Sequence, residues 1–435
     1  MKDHAVVPPK RRLKFAICPN FALYVLLLAG ALIFTQALRS PISAVLFVFL
    51  LLLPLFTLAY LFIASANVKV YVERGSDEVP KLTPVRFGLT VANDSVLPVP
   101  FAEIDIILPS ERAVRCIGRR VRVSLVPFGY YDLSETVTFP YRGEYEIGVS
   151  DIYVYDPFRM FRLRVTADTF TTVFVMPRRL SLDRSGSHAA SDVNTSSILT
   201  LSGIDRAELS DIREYRNGDH IKSIHWNLSS KTQDLVVKEY AMNSGNRVYI
   251  FVDTARYADP SEGGYEDDIA EYVADGVIEL ALAAAHGELE SGNNVTMIWY
   301  DGRTQGDIQT AEMESVKDLD RIFTVFATAQ LCPPDDEHDF TRMAALVSET
   351  QGVTVLFVSA RMDAKLVRGI TAAAGMFGGL AARGAVGYMY FDPSAHILPE
   401  RRDSHRETSE LCKRQLSEAG IAVVTADITF QDAKT

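Results

Sequence analysis

Arg247-Val-Tyr-Ile-Phe-Val-Asp253 is an unbroken run of strand-forming residues that ends on a carboxylate. A strand apolar on both faces belongs inside a covered sheet, and such sheets are mostly parallel. Similar runs stand at Val295 to Tyr300, Val353 to Val358, Ala385 to Phe391 and Ile421 to Thr425. Between them lie stretches predicted as helices, Asp267 to Glu290, Glu314 to Ala329, Phe340 to Glu349, Ala364 to Ala374 and Ser404 to Ala419. Strand and helix in alternation predict a Rossmann-type α/β domain over residues 244–435, with a mostly parallel sheet covered on both faces. Ligands of such sheets bind beyond the carboxyl ends of the strands, so Asp253 is expected on the functional rim.

The other end of the chain reads differently. Phe21 to Leu38 and Ile42 to Ala64 are apolar and free of charge. As helices they would be roughly 27 and 34 Å long, against a hydrocarbon core of about 30 Å. Only Arg39, Ser40 and Pro41 separate them, so a transmembrane hairpin is expected, and two adjacent spans argue against a cleaved signal peptide. Lys10, Arg11, Arg12 and Lys14 precede the first span while the turn holds only Arg39. The positive-inside rule then places residues 1–20, a tail, and everything after the second span in the cytoplasm.

From Val68 to about Arg179, short runs rich in Val, Ile, Tyr, Phe and Thr are broken by Gly, Pro, Asn and Asp, the pattern of a β-sandwich over residues 66–180. Within it, Arg112, Arg115, Arg119, Arg120 and Arg122 form a basic cluster. It could meet an anionic leaflet, but a solvated strand face balanced by acids explains it better. Residues 181–202 are polar and aperiodic, as in a linker.

The next segment, residues 203–243, holds Arg213, Glu214, Tyr215, Arg216, Gly218, Asp219, Ile224, Trp226 and Ser229. This run, with Tyr141-Arg-Gly-Glu-Tyr-Glu-Ile-Gly148 and Asp156-Pro-Phe158 upstream, resembles the bacterial and archaeal family called domain of unknown function 58. Arg159 stands where the family more usually has glycine, and Lys222 where it has arginine. The resemblance implies a C-terminal von Willebrand factor A-like (vWA-like) domain and a MoxR-type AAA+ ATPase as partner.

A vWA-like domain binds a divalent cation through Asp-x-Ser-x-Ser after its first strand, because Mg²⁺ takes small oxygen ligands at short range. Here the turn is Asp253-Thr254-Ala255-Arg256-Tyr257. Asp253 and Thr254 are the possible ligands of a degenerate Mg²⁺ site, but Ala255 cannot ligate and Arg256 adds positive charge. Asp253 is more simply a structural cap, and no cofactor is expected. Asp219, His225 and Ser229 supply the residue types of a hydrolytic triad, yet no Gly-x-Ser-x-Gly elbow surrounds Ser229. The better reading makes Arg213, Tyr215, Asp219, His225 and Trp226 a polar and aromatic network that docks the segment. His220 and His225 lack a third metal ligand. No P-loop occurs, and the glycines between Gly375 and Gly387 follow a helix and precede a strand, the reverse of a dinucleotide fingerprint.

The net charge of −11 and the lack of a basic tract past the first residues argue against nucleic acid. From Ser244 onward 31 Asp and Glu face 16 Lys and Arg, a difference of −15, while the β-module is near neutral. Such an acidic domain would steer basic protein partners. Four scattered cysteines, Cys18, Cys116, Cys332 and Cys412, read as free thiols. Together these features predict a scaffold held in the lipid bilayer of the cell membrane, with a hydrolase and an exported adhesion module as alternatives.

Overall fold

The computed structural model describes residues 13–73, 77–109, 116–180, 209–214, 236–240, 247–257, 267–304, 307–332, 340–347, 353–377, 386–394 and 399–426. The chain divides into two compact units, Met1–Met176 and Pro177–Thr435.

In the first unit the two apolar runs form α1 (Asn20–Leu38) and α2 (Pro41–Ala66), both long and apolar enough to cross a membrane. Arg39, in the left-handed region at φ 47°, ends α1 by donating its N–H to the Thr35 carbonyl at 3.1 Å. Ser40 Oγ then accepts from the Ile42 N–H at 3.3 Å, and Pro41 fills a first-turn position where no N–H is needed. Pro54 lies inside α2 without ending it.

The same unit contains β1 (Leu13–Ile17), β2 (Val68–Val72), β3 (Glu78–Pro80), β4 (Val85–Asn93), β5 (Val99–Leu108), β6 (Ile117–Leu125), β7 (Tyr130–Val137), β8 (Gly143–Tyr155) and β9 (Phe161–Met176). One sheet runs β1-β9-β8-β5-β6 with β3 also on β9, and the second runs β2-β4-β7. Alternate residues, among them Leu89, Val91, Ile104, Ile106, Val154 and Leu163, point into one shared core. The strand β1 corrects the reading of residues 1–20 as a plain tail: Leu13 to Ile17 pair antiparallel with Val165 to Phe161 along the edge of β9. Its side chains are largely exposed, so backbone pairing rather than apolar burial places it there.

Local geometry explains the upstream motif. Gly143 and Gly148 have φ of 142° and 155°, and a Cβ on Gly148 would lie 2.1 Å from the Thr169 carbonyl oxygen. Asp156 is fully buried and accepts from the N–H of Phe161 at 2.6 Å and of Phe158 at 3.1 Å, which closes the β8–β9 turn. Arg159 follows at φ 56°, a conformation suited to glycine. The arginine cluster is neutralised in place: Arg119 meets Glu135 at 2.8 Å, Arg120 meets Asp105 at 2.6 Å, and Arg122 meets Glu103 at 3.2 Å. Arg112 and Arg115 lie outside the described residues.

The second unit opens with the antiparallel pair β10 (Leu209–Glu214) and β11 (Val236–Tyr240). The main sheet is built from β12 (Arg247–Val252), β13 (Asn294–Asp301), β14 (Asp307–Met313), β15 (Val353–Ser359), β16 (Val386–Phe391) and β17 (Ala422–Ala426). Its order is β14-β13-β12-β15-β16-β17, parallel except for β14 on the edge. The helices α3 (Asp267–Glu290) and α4 (Val316–Thr328) cover the face that carries Val248, Ile250 and Val252. The other face, with Tyr249 and Phe251, packs on α5 (Phe340–Ala344), α6 (Ala364–Met376) and α7 (Pro399–Glu418).

Two local devices fix these helices. Asp318 of α4 accepts from the Ser315 N–H at 2.9 Å, which caps the helix and lowers the Asp318 pKa through the Ser315 hydrogen bonds. In α3 the carboxylate of Glu279 is fully buried and receives the Arg178 N–H at 3.1 Å and its guanidinium at 3.1 and 2.9 Å. This pairing ties Arg178 into the second unit, whose boundary at Met176/Pro177 falls before the sequence-based limit of 180.

Candidate functional site at the rim of the parallel sheet

The sheet order reverses at β12: β13 lies on one side and β15 on the other. The crevice beyond the carboxyl ends of two such strands is where open α/β sheets bind ligands. Val252 is level with Val358 across the pair, so Asp253 and Ser359 leave the sheet side by side.

The Asp253 carboxylate is almost fully enclosed and its oxygens are engaged. Oδ1 accepts from the Ala255 N–H at 3.1 Å; Oδ2 accepts from Ser359 Oγ at 2.5 Å and from Arg361 Nε at 2.7 Å. Ser359 Oγ accepts in turn from the Arg361 N–H at 2.9 Å. The Tyr388 hydroxyl, from β16, donates to the Arg361 carbonyl at 2.5 Å. Burial works against the Arg361 charge, but the adjoining Asp253 carboxylate outweighs it and the guanidinium pKa is raised. Burial also pushes the Tyr388 hydroxyl well above the usual phenol range.

Thr254 turns away from the crevice and donates to the Tyr300 carbonyl at 2.6 Å. Its backbone carbonyl accepts from the Cys332 N–H at 3.0 Å, and the Arg256 N–H donates to the Cys332 carbonyl at 2.8 Å, stitching the turn to its neighbour. This donor set does not fit Mg²⁺. The Asp253 carboxylate already holds a guanidinium, and the threonine oxygen is committed elsewhere. Among the described residues no group of three or more His, Cys, Asp or Glu could hold a metal ion.

Asp253 and Thr254 follow β12 directly at its carboxyl end, with only the Asp253 side chain in the cluster. Ser359 and Arg361, which complete the cluster, lie 106 and 108 residues further along and were not singled out. A polar residue at the end of the neighbouring strand was the available signal, but only the strand order says which strand is the neighbour. In the signature segment, Arg213 lies in β10 and pairs with Val237. Tyr215, Arg216, Gly218, Asp219, Ile224, His225, Trp226 and Ser229, with His220, lie outside the described residues, as does the linker 181–202.

Comparison with solved structures finds remote likenesses. A β-glucosidase from Listeria innocua in complex with isofagomine has TM-score 0.17 and 10% identity, over 25% of this chain and 16% of that one. The CARDB domain of the PF1109 protein from Pyrococcus furiosus, in complex with di-metal ions, has TM-score 0.18 and 19% identity, over 25% of this chain and 85% of that one. At these scores neither bears on the fold or the site. No curated protein matches. A family model described as protein of unknown function DUF58 matches residues 211–314, which run from the signature strand β10 through the Asp253 rim to the end of β14. Over that region, about a quarter of the chain, the protein is similar to the DUF58 family.

Proposed function

We propose that this protein is a membrane-anchored scaffold whose C-terminal domain, of vWA-like type, presents the Asp253 rim to a protein partner, a MoxR-type AAA+ ATPase in the first instance. The observation that carries the reading is the internal closure of the rim: Asp253, Ser359, Arg361 and Tyr388 satisfy one another. A cluster that spends its polar groups internally suits a rigid recognition surface better than bond-making chemistry. The sheet order, with its third strand reversed on the edge, suits the vWA-like type. Two apolar helices supply the anchor, and the excess of acids after Ser244 would draw in a basic surface. The ATPase rests on the family resemblance and the membrane orientation on the charges flanking the first helix.

The test is purification of the full chain from its native membranes, with the co-purifying proteins identified by mass spectrometry. Enrichment of an AAA+ ATPase over an unrelated membrane protein supports the reading, provided that Arg361→Ala or an acid-to-amide change on the rim weakens it. Hydrolysis of an ester or peptide that Ser229→Ala abolishes in a well-folded protein would make it an enzyme instead. Protease digestion of the C-terminal domain in right-side-out vesicles would overturn the cytoplasmic orientation and favour an exported module. Millimolar Mg²⁺ should leave the melting temperature nearly unchanged; a shift of several degrees that Asp253→Ala removes would restore a metal to the rim.

A further inference from the structure

Exposed large apolar side chains are distributed unevenly over the β-sandwich. Among its described residues 68–176, Val96, Phe101, Val126, Phe128, Tyr130 and Phe158 lie at one end, and Ile117 alone lies at the other. Strand register defines that end: Asn93 at the close of β4 pairs with Val68, Val99 with Leu125, Ala92 with Tyr130, and Tyr155 with Arg162. These pairs bring the loops 94–98, 126–129 and 156–160 together where α1 begins and α2 ends. The loops are fastened there. Cys18 N–H donates to the Met160 carbonyl at 2.8 Å, and Asn20 Nδ2 to the Phe158 carbonyl at 3.2 Å. Asp94 N–H donates to the Asn67 carbonyl at 3.0 Å, and buried Asn93 donates to the Leu97 and Val126 carbonyls at 2.8 and 3.1 Å.

We propose that these three loops form an interfacial collar, which dips into the headgroup and upper acyl layer of the bilayer around the transmembrane hairpin. The inference rests on the hairpin spanning the membrane and adds a second, separate contact. Length supports it. The 26 residues of α2 extend about 39 Å, longer than a hydrocarbon core of about 30 Å, so the helix end stands among the headgroups. The Tyr60 hydroxyl donates to the Pro98 carbonyl, which ties the 94–98 loop to a residue whose backbone lies six positions, about 9 Å, before that end. The loop tips, Ser95-Val96-Leu97-Pro98, Val126-Pro127-Phe128-Gly129 and Pro157-Phe158, carry no charge, and the charged residues beside them are engaged: Asp94 is paired with Lys69 at 2.6 Å, Asp156 is buried and accepts from the Phe158 and Phe161 N–H groups, and Arg159 lies 4.4 Å from the Phe101 ring. Phe128 is 69% exposed and is held at φ 53°, an unfavourable conformation for an aromatic residue. Aromatic and aliphatic side chains beside a membrane helix partition into the interface, as amphipathic anchors do.

The test uses the full chain reconstituted in liposomes, with single tryptophans read against the background of native Trp226 and Trp299. The variants are Phe128→Trp and Phe158→Trp in the collar, Ile117→Trp at the opposite end and Phe49→Trp within α2. Lipids brominated near the headgroup end of the acyl chain are the quencher. Phe128→Trp and Phe158→Trp should emit at shorter wavelength than Ile117→Trp and lose emission to the brominated lipid, while Ile117→Trp keeps its emission. If both collar variants behave like Ile117→Trp while Phe49→Trp is quenched by lipid brominated at mid-chain, the hairpin spans and the collar is wrong. A blue shift without bromine quenching would mark contact with protein, such as a second copy, and also overturns it. If Phe49→Trp is unquenched as well, the spanning reading falls and takes the collar with it. Two collar positions keep the outcome decisive should one variant fail to fold.

Discussion

Arg361→Ala removes the cation from a carboxylate that has little access to water. The Asp253 side chain is 6% exposed and that of Arg361 is 25% exposed. Breaking a buried pair by deleting one partner costs about 3 to 5 kcal/mol. Here Ser359 Oγ and the Ala255 N–H remain on the carboxylate, and the vacated guanidinium space opens toward solvent. Partial exposure of Arg361 discounts the figure further, so the expected cost is about 3 kcal/mol. At roughly 2 to 4 °C per kcal/mol for a domain of this size, the transition of the second unit should fall by about 6 to 12 °C. Asp253→Asn should cost less, about 1 to 2 kcal/mol, because the stranded guanidinium can hydrate through its exposed edge. The assay is thermal unfolding of the detergent-solubilised chain, followed by near-ultraviolet circular dichroism. Melting of Arg361→Ala within a degree of wild type, or a larger loss from Asp253→Asn than from Arg361→Ala, would refute the account of the rim as an internally neutralised charge.

Arg178→Ala should lower the stability of the second unit by about 3 to 5 kcal/mol in urea titration, since Glu279 is fully buried and loses its guanidinium partner; an unchanged midpoint would show that other groups carry that carboxylate. Arg159 combines a left-handed backbone with a guanidinium 4.4 Å above the Phe101 ring. Arg159→Gly should therefore stay within about 1 kcal/mol of wild type, strain relieved against stacking lost, whereas Arg159→Ala keeps the strain and should be the less stable of the two. The Arg120 hydrogen bond, followed by its charge, holds the Asp105 carboxyl below the usual carboxylate range, with burial opposing. A folded pKa below the unfolded value of about 3.9 contributes stability that is present above that pH and lost as pH falls through the folded value. Urea midpoints of the first unit should drop below about pH 4, and less steeply in Asp105→Asn; parallel curves for the two proteins would count against the pair.

Periodicity alone was enough for the elements whose burial is one-sided or complete. The charge-free runs that became α1 and α2, the apolar run of β12 and the span Asp267–Glu290 could be bounded from residue types, because each repeats one physical demand along its length. The edge elements could not. The exposed strand β1 and the polar edge strand β14, Asp307-Ile-Gln-Thr-Ala-Glu-Met313, join their sheets by backbone hydrogen bonds that any residue but proline can make, so side-chain pattern leaves no trace of them.

The sequence by itself determined that Asp253 would stand at the end of a buried strand, and that Ala255 and Arg256 would be poor cation ligands. The family resemblance marked position 159 as one where glycine is more usual, which the φ of 56° explains. Only the tertiary structure decided what answers the Asp253 charge. Strand order brings β15 beside β12 and with it Ser359 and Arg361, more than a hundred residues away; a polar residue at a strand end does not by itself say which strand lies beside it. The same holds for Glu279, one of several acids in a long helix until the fold buries it against Arg178, and for the arginines of β6, whose acids come from β5 and β7. A charge declares its presence in the sequence, but its partner is chosen by which elements pack together, and that is set by burial summed over the whole core rather than by any local pattern.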